Sequence, residues 1–271
     1  MAVMVVLAAV LLTYGVSPGI AMEAGESGAV AGVGAGENGV LPLDMAENSV
    51  DDMYDGCKDK MKERVTKDLE NEKNKDPFFK KVWDKRQLKK QIKNKLLEKD
   101  QIVAINYYTF GEENAYLPFN AAVRTQGPQY KTTFGYHALH FLLTTAIRAL
   151  RASKGDECLT VYRRVNEYFS QDVQNKEIRF GSFTSASLGG YGKELFGEKS
   201  CFEIVTCMGA DVSNYSKFEN EREVLIPPYE VFKVVEIKKR STMQPDLPCE
   251  VVYKVRSTRY YSKSNCALFK K

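Results

Sequence analysis

The sequence predicts an α+β fold in which helices come first and short strands follow. Three observations carry that expectation. From Asp76-Pro77, a helix start signal, Phe78, Phe79, Val82, Trp83, Leu88, Ile92, Leu96 and Leu97 recur at near-helical spacing. Phe134 to Arg151 forms a stronger helical pattern, with Ala138, Leu139, Phe141, Leu142, Ala146 and Leu150 on one core face. After residue 158 the chain turns β-rich, with short strands expected at 159–163, 179–187, 201–207, 221–226, 231–238 and 250–255.

Met1 to Leu12 is an uninterrupted apolar run followed by Gly15, Ser17, Gly19 and Ala21, the pattern of an export signal over residues 1–21. It is too short to span a bilayer. Residues 22–45 are Gly/Ala/Glu-rich without periodicity and are expected to be a flexible leader, with the folded domain over 46–271. No Gly/Ser/Pro-rich linker breaks residues 100–260, so one domain is expected, and a 44% hydrophobic content is enough for its core. Between Lys75 and Lys99 ten Lys/Arg stand against three acids. They read as a solvated helix face, and without aromatic interleaving they do not suggest nucleic acid. The net charge of +4 is too mild to change that. Gln101 to Tyr108 reads as β-like. His137 and His140, the two histidines of the chain, lack a carboxylate at metalloprotease spacing and are expected to pack rather than bind metal.

Cys57, Cys158, Cys201, Cys207, Cys249 and Cys266 form an even set behind an export signal, so pairing is expected. Six cysteines allow fifteen pairings, and the residues alone leave them open. With no Cys-x2-Cys pair, a zinc site is not expected.

Glu221-Arg222-Glu223 opens an apolar run closed by Pro227-Pro228. In a strand, Glu221 and Glu223 would share a face and perturb each other's ionisation, which is useful in a site. Alone, this spacing is common on solvated strands. Upstream, Arg163 sits at the end of the β-type run Cys158 to Arg164, and Ser185 and Ser187 share a strand face within Phe180 to Leu188. Arginine, Ser-x-Ser and Glu-x-Glu in that order resemble the signature of arginine-specific, vertebrate-type ecto-mono-ADP-ribosyltransferases. Phe119 to Arg124, His137 to Thr144, Thr206 to Ala210 and Glu223 to Pro228 are similar to that family too, over roughly residue 45 to the C-terminus.

The resemblance implies two small β-sheets crossing around an NAD cleft, with an N-terminal helical part. It implies that NAD+ (or NADP+) is consumed as a substrate and that no prosthetic group is needed. Breaking the nicotinamide–ribose bond leaves an oxocarbenium-like cation, which calls for negative charge at the ribose and positive charge at the diphosphate. On the family pattern Glu223 is the catalytic carboxylate, Arg163 meets the diphosphate, and Ser185 bonds near the ribose. Arg164, where many relatives have glycine, reaches the nicotinamide amide through its backbone, and Phe196 packs on the nicotinamide ring. Ala186 departs from the usual Ser or Thr, on the face turned away from Ser185. Glu221 would select arginine, because a guanidinium needs a carboxylate to orient it and take its proton.

The family pattern also implies the bridges Cys57–Cys266 and Cys158–Cys207, which leaves Cys201 and Cys249 for each other. Asp211 to Asn220 is expected to present acceptor protein, with Tyr215 or Phe218 as a substrate contact. That segment holds the glycosylation acceptor Asn214-Tyr215-Ser216. The expected partners are NAD+ and proteins with exposed arginine. No polar spacer with an apolar tail closes the sequence, so a secreted enzyme without membrane span or glycolipid anchor is expected. The competing readings are an NAD glycohydrolase on the same site and a non-catalytic disulfide-bonded binding protein.

Overall fold

Five helices precede all but one of the strands in the computed structural model, which describes residues 39–87, 96–109, 114–216 and 222–269. The expected export signal, Leu88, Ile92, Phe218 and Glu221 lie outside these residues. Helix α1, Lys58–Lys75, is largely polar and buries Met61 and Leu69. Asp76 starts α2, Pro77–Gln87: its Oδ1 accepts from the amides of Phe78 at 2.9 Å and Phe79 at 3.0 Å. A carboxylate cap followed by proline satisfies free amides where proline has none to offer.

Gln101 to Tyr108 belongs to a helix, α3 (Lys99–Thr109), and not to a strand. Its apolar run is buried nearly all round, so no polar face marks the helical period. Helices α4, Tyr116–Thr125, and α5, His137–Ala152, complete this layer. Its core contains Phe79, Trp83, Phe119, Phe141 and Leu143. Glu72 reaches from α1 to the start of α5, accepting from the amides of Ala138 at 2.6 Å and Leu139 at 3.2 Å. It supplies the cap that Tyr136 does not. Burial pushes the Glu72 carboxyl up to about 8.

The strands are β1 (Val40–Leu41), β2 (Leu159–Val165), β3 (Tyr168–Phe169), β4 (Glu177–Ile178), β5 (Thr184–Ser187), β6 (Ser200–Thr206), β7 (Ala210–Asp211), β8 (Glu223–Ile226), β9 (Glu230–Lys239) and β10 (Val251–Tyr260). Eight of them run in the order β4-β9-β10-β6-β2-β5-β8-β7. The link between β2 and β5 is a single residue pair, Tyr162 with Ser187. Two sheet portions therefore meet at a narrow seam: β4-β9-β10-β6-β2 on one side and β5-β8-β7 on the other. Ala186, Val224 and Ile226 face a core with Val161, Val165 and Phe232, whereas Leu225 faces the helices.

Residues 179–187 do not form one strand. Gly181, at φ 74, breaks the run, and a Cβ there would come within 2.7 Å of Ala46 Cβ. The fold also begins before residue 46, inside the expected leader. β1 pairs in parallel with β3, and Leu41 and Leu43 are buried.

Three disulfides join Cys57 to Cys266, Cys158 to Cys207 and Cys201 to Cys249. Asp52 clusters with Cys57 and Cys266. Both sulfurs are held in the disulfide, and Asp52 accepts from Tyr54, Cys266 and Tyr130, so the group offers no metal chemistry. His137 and His140 are packing residues: burial brings them down to about 4 and about 3. His140 shares a 2.8 Å hydrogen bond with the Tyr54 hydroxyl. Among the described residues no helix is long and apolar enough to cross a membrane.

Candidate active site

The seam between the two sheet portions gathers the arginine, serine and glutamate segments. On β2, Val161 and Val165 are buried, and Arg163 lies between them on the same face. Its Nη1 donates to the carbonyl of Ser185 at 2.7 Å, closing the seam one residue from the ladder. The contact to Ser185 is thus through its backbone. The side chain is half-buried.

Glu223 begins β8 and is only 1% exposed. Its cross-strand partner on β5 is Ser187, and Ser185 pairs with Leu225. Tyr162, Ser187 and Glu223 therefore form a row across three strands. By strand spacing the row places Glu223 roughly 10 Å from β2. Ser216 Oγ donates to Glu223 Oε2 at 2.9 Å. The hydroxyl arrives by way of a 3-10 turn, Ser213–Tyr215, anchored where the amide of Val212 donates to the Glu223 carbonyl at 2.8 Å.

Two expectations change here. The strand expected over 221–226 is β8 over Glu223–Ile226, which begins after Arg222 at φ 48. Tyr215 is 4% exposed within the helical core and is not a substrate-facing ring. Asn214, beside it, is exposed.

Arg164 points to the other side of β2, its Nη1 donating to the Gly197 carbonyl at 3.2 Å. Gly197 has φ 120, and a Cβ there would lie 2.5 Å from the Val165 carbonyl carbon, so the residue must be glycine. This approach brings the turn Glu194–Phe196 against the end of β2. Phe196 is half-buried and packs on Gly192, where a Cβ would meet its ring at 2.8 Å.

Several site residues escape a reading of the motifs. The Tyr108 hydroxyl donates to the Phe183 carbonyl at 2.7 Å and accepts from Asn120 at 2.9 Å. Arg124 donates to the Phe180 carbonyl and to Ser182 Oγ, both at 2.7 Å. Together they fix the segment that leads into β5. Burial raises the Tyr116 phenol, with Arg163 opposing and Glu223 adding to the shift, so this half-buried ring lies within the field of both. Burial also raises the half-buried Glu167, against Arg163 and Lys199. The segment Phe119 to Arg124 signals the α4 residues in sequence. Ser216 and Glu167 have no motif of their own.

A fixed cation and a buried carboxylate thus flank a hydroxyl-bearing strand at the seam of two sheets, the arrangement of a mono-ADP-ribosyltransferase. Solved structures agree. The eucaryotic mono-ADP-ribosyltransferase ART2.2 superposes with TM-score 0.67 at 28% identity, over 85% of this chain and 100% of that one. A mutant of ART2.2 in complex with NAD gives TM-score 0.64 at 27% identity over the same shares. Ecto-ADP-ribosyltransferase 4 of Homo sapiens is 34% identical over 247 residues, 85% of this chain and 74% of that protein. GPI-linked NAD(P)(+)--arginine ADP-ribosyltransferase 1 of Mus musculus is 33% identical over 246 residues, 84% and 74% of the two chains. The profile of NAD:arginine ADP-ribosyltransferase matches residues 43–247.

The chain belongs to the NAD:arginine ADP-ribosyltransferase family. NAD+ is a substrate of this enzyme class, not a prosthetic group.

Proposed function

We propose that the protein transfers ADP-ribose from NAD+ to arginine side chains of acceptor proteins, with release of nicotinamide. The observation that carries this reading is Glu223, held by Ser216 in a buried position on the row Tyr162-Ser187-Glu223, with Arg163 at the adjoining seam. In that place a carboxylate stabilises the oxocarbenium formed as nicotinamide leaves, and Arg163 takes the diphosphate. Ser185 and Ser187 line the ribose, Phe196 packs on nicotinamide, and the backbone of Arg164 meets its amide. Glu221 orients the acceptor guanidinium and takes its proton. The loop at residues 211–220 presents the acceptor protein. Three disulfides suit an oxidising compartment and a secreted or surface-held enzyme, with 1–21 as export signal and the catalytic unit running to residue 271.

The test is labelled NAD+ with agmatine, polyarginine or water alone as acceptor. Glu223→Gln should lower both agmatine labelling and nicotinamide release by about 100-fold or more, the usual loss for one transition-state electrostatic contact. Near-normal turnover in a folded variant sinks the mechanism. Glu221→Gln should leave nicotinamide release standing while agmatine labelling falls steeply, because an amide is no base for a guanidinium. An unchanged ratio of the two products removes Glu221 from acceptor choice.

A further inference from the structure

Helix α1 sorts its charges by face. Lys60, Arg64, Lys67, Asn71 and Lys75 follow one another in steps of four, three, four and four, so they share one side over roughly 22 Å. Asp59, Glu63 and Glu70 keep to a neighbouring side by steps of four and seven. Lys60, Lys67 and Lys75 are exposed and make no ion pair among the described residues. Off this stripe, Lys62 pairs with Glu98 and Lys73 with Glu70. A solvated helix face ordinarily mixes its signs, and like charges one turn apart repel. A row of cations kept clear of acids is suited to an anion that lies along it.

The stripe runs beside a cavity of about 430 Å³, within the range of ligand sites. Its walls are α1 from Arg64 to Lys75, the turn from Lys131 to His137, and Leu268. Both acids in the wall are engaged inside the protein. Asp68 accepts from Arg64 at 2.7 and 3.0 Å, and Glu72 caps α5. Burial keeps His137 neutral. The charge at the opening is therefore positive, from Lys75 and Lys131, which are both exposed.

We propose that this cavity and the stripe beside it bind a sulfated glycan, one sulfated sugar entering the cavity and its neighbours lying along Lys60 and Lys67. A linear polyanion matches a linear row of cations. Phe134, the one ring in the wall besides His137, is buried, so nucleic-acid bases find no stacking platform. The exposed large apolar side chains Leu96, Val235, Met243 and Tyr260 all lie outside the cavity wall, so nothing in it enters a lipid surface. Three disulfides suit the oxidising surroundings in which sulfated glycans occur. The site belongs to the helical layer and shares no residue with the seam of Arg163, Ser185 and Glu223, so it stands apart from the transfer reaction.

The test is calorimetric titration of the full chain with a heparin octasaccharide at about 0.15 M salt and above. The octasaccharide should bind, more weakly as salt rises. Lys67→Ser combined with Lys75→Ser should weaken it about fivefold or more. Lys154→Ser combined with Lys239→Ser removes the same charge from exposed positions on other elements and should leave affinity within about twofold. All four lysines are exposed, so both double variants should fold. No binding by the wild type, or equal weakening in the two double variants, overturns the proposal. Tighter binding of an RNA or DNA duplex, or of anionic lipid vesicles, overturns it too.

Discussion

Arg179 and Arg163 are both drawn into the protein, and their surroundings separate support from chemistry. Arg179 is wholly buried, and all three of its guanidinium nitrogens donate. It donates to Asp51 Oδ2 at 2.6 Å and to the carbonyls of Met45 at 2.7 Å, Ala46 at 3.0 Å and Tyr261 at 3.1 Å. Asp51 is completed by the amides of Lys263 and Ser264. The pair ties the start of the fold to its last segment. Arg163, half-buried at the seam, makes a single hydrogen bond among the described residues, to the Ser185 carbonyl. An arginine engaged through every nitrogen holds the chain together. An arginine that keeps donors for a ligand suits the diphosphate role proposed for Arg163.

The comparison is sharpest in stability. Arg179→Ala should destabilise the protein by about 3–5 kcal/mol, because it strands Asp51 inside without its partner. Arg163→Ala, which strands no carboxylate within hydrogen-bond reach, should cost about 1 kcal/mol or less and instead weaken nucleotide binding. Denaturant midpoints of both variants, read beside NAD+ affinity, check this. Equal destabilisation by the two would erase the distinction.

A second test uses the covalent tie in the same region. Cys57 and Cys266 close a loop 209 residues apart in sequence, next to the Asp51–Arg179 pair. Replacing both with serine should cost about 2–5 kcal/mol. Because Asp52 still accepts from the Cys266 amide and from Tyr130, local geometry should largely survive. Thermal unfolding with nucleotide present and absent would show whether the site outlasts the bridge.

The smallest effect is a pH profile. Burial raises Glu72 to about 8, so its proton is kept in the fold where the unfolded chain has lost it. Its contribution is full below the unfolded carboxylate value and is lost as pH climbs through about 8. His137 and His140, lowered to about 4 and about 3, act in the opposite sense: stability falls as pH drops below the unfolded histidine value. Above the unfolded histidine value only the raised carboxyls still change the balance, so stability should fall from about pH 6.5 upward. Glu72→Gln should make that alkaline fall shallower. A profile that keeps rising to pH 8 in the wild type refutes the assignment to Glu72.

Helix α5 was legible because its apolar residues repeat at helical spacing along a longer segment, and α3 was not because its short run of Ile, Val and Tyr has the composition of a strand. The run Glu223 to Ile226 was legible as a strand from its apolar residues and the following prolines. The positive φ at Arg222, which starts that strand two residues late, was hidden, since arginine carries no sign of a left-handed turn. Ser216 was equally hidden. Its role comes from a turn folding back seven residues onto Glu223, and serine before a polar segment looks like any loop hydroxyl.

The sequence by itself determined the order of arginine, serine and glutamate segments, the residue types they offer and the alternation that turns Ser185 and Ser187 to one side. These are local properties, set by side-chain chemistry and by the two-residue period of a strand. Only the tertiary structure decided that Glu223 stands level with Ser187 and that Arg163 meets a carbonyl and not a hydroxyl. Register between strands distant in sequence is fixed by which apolar faces pack on which core. That choice belongs to the whole chain and to no segment alone.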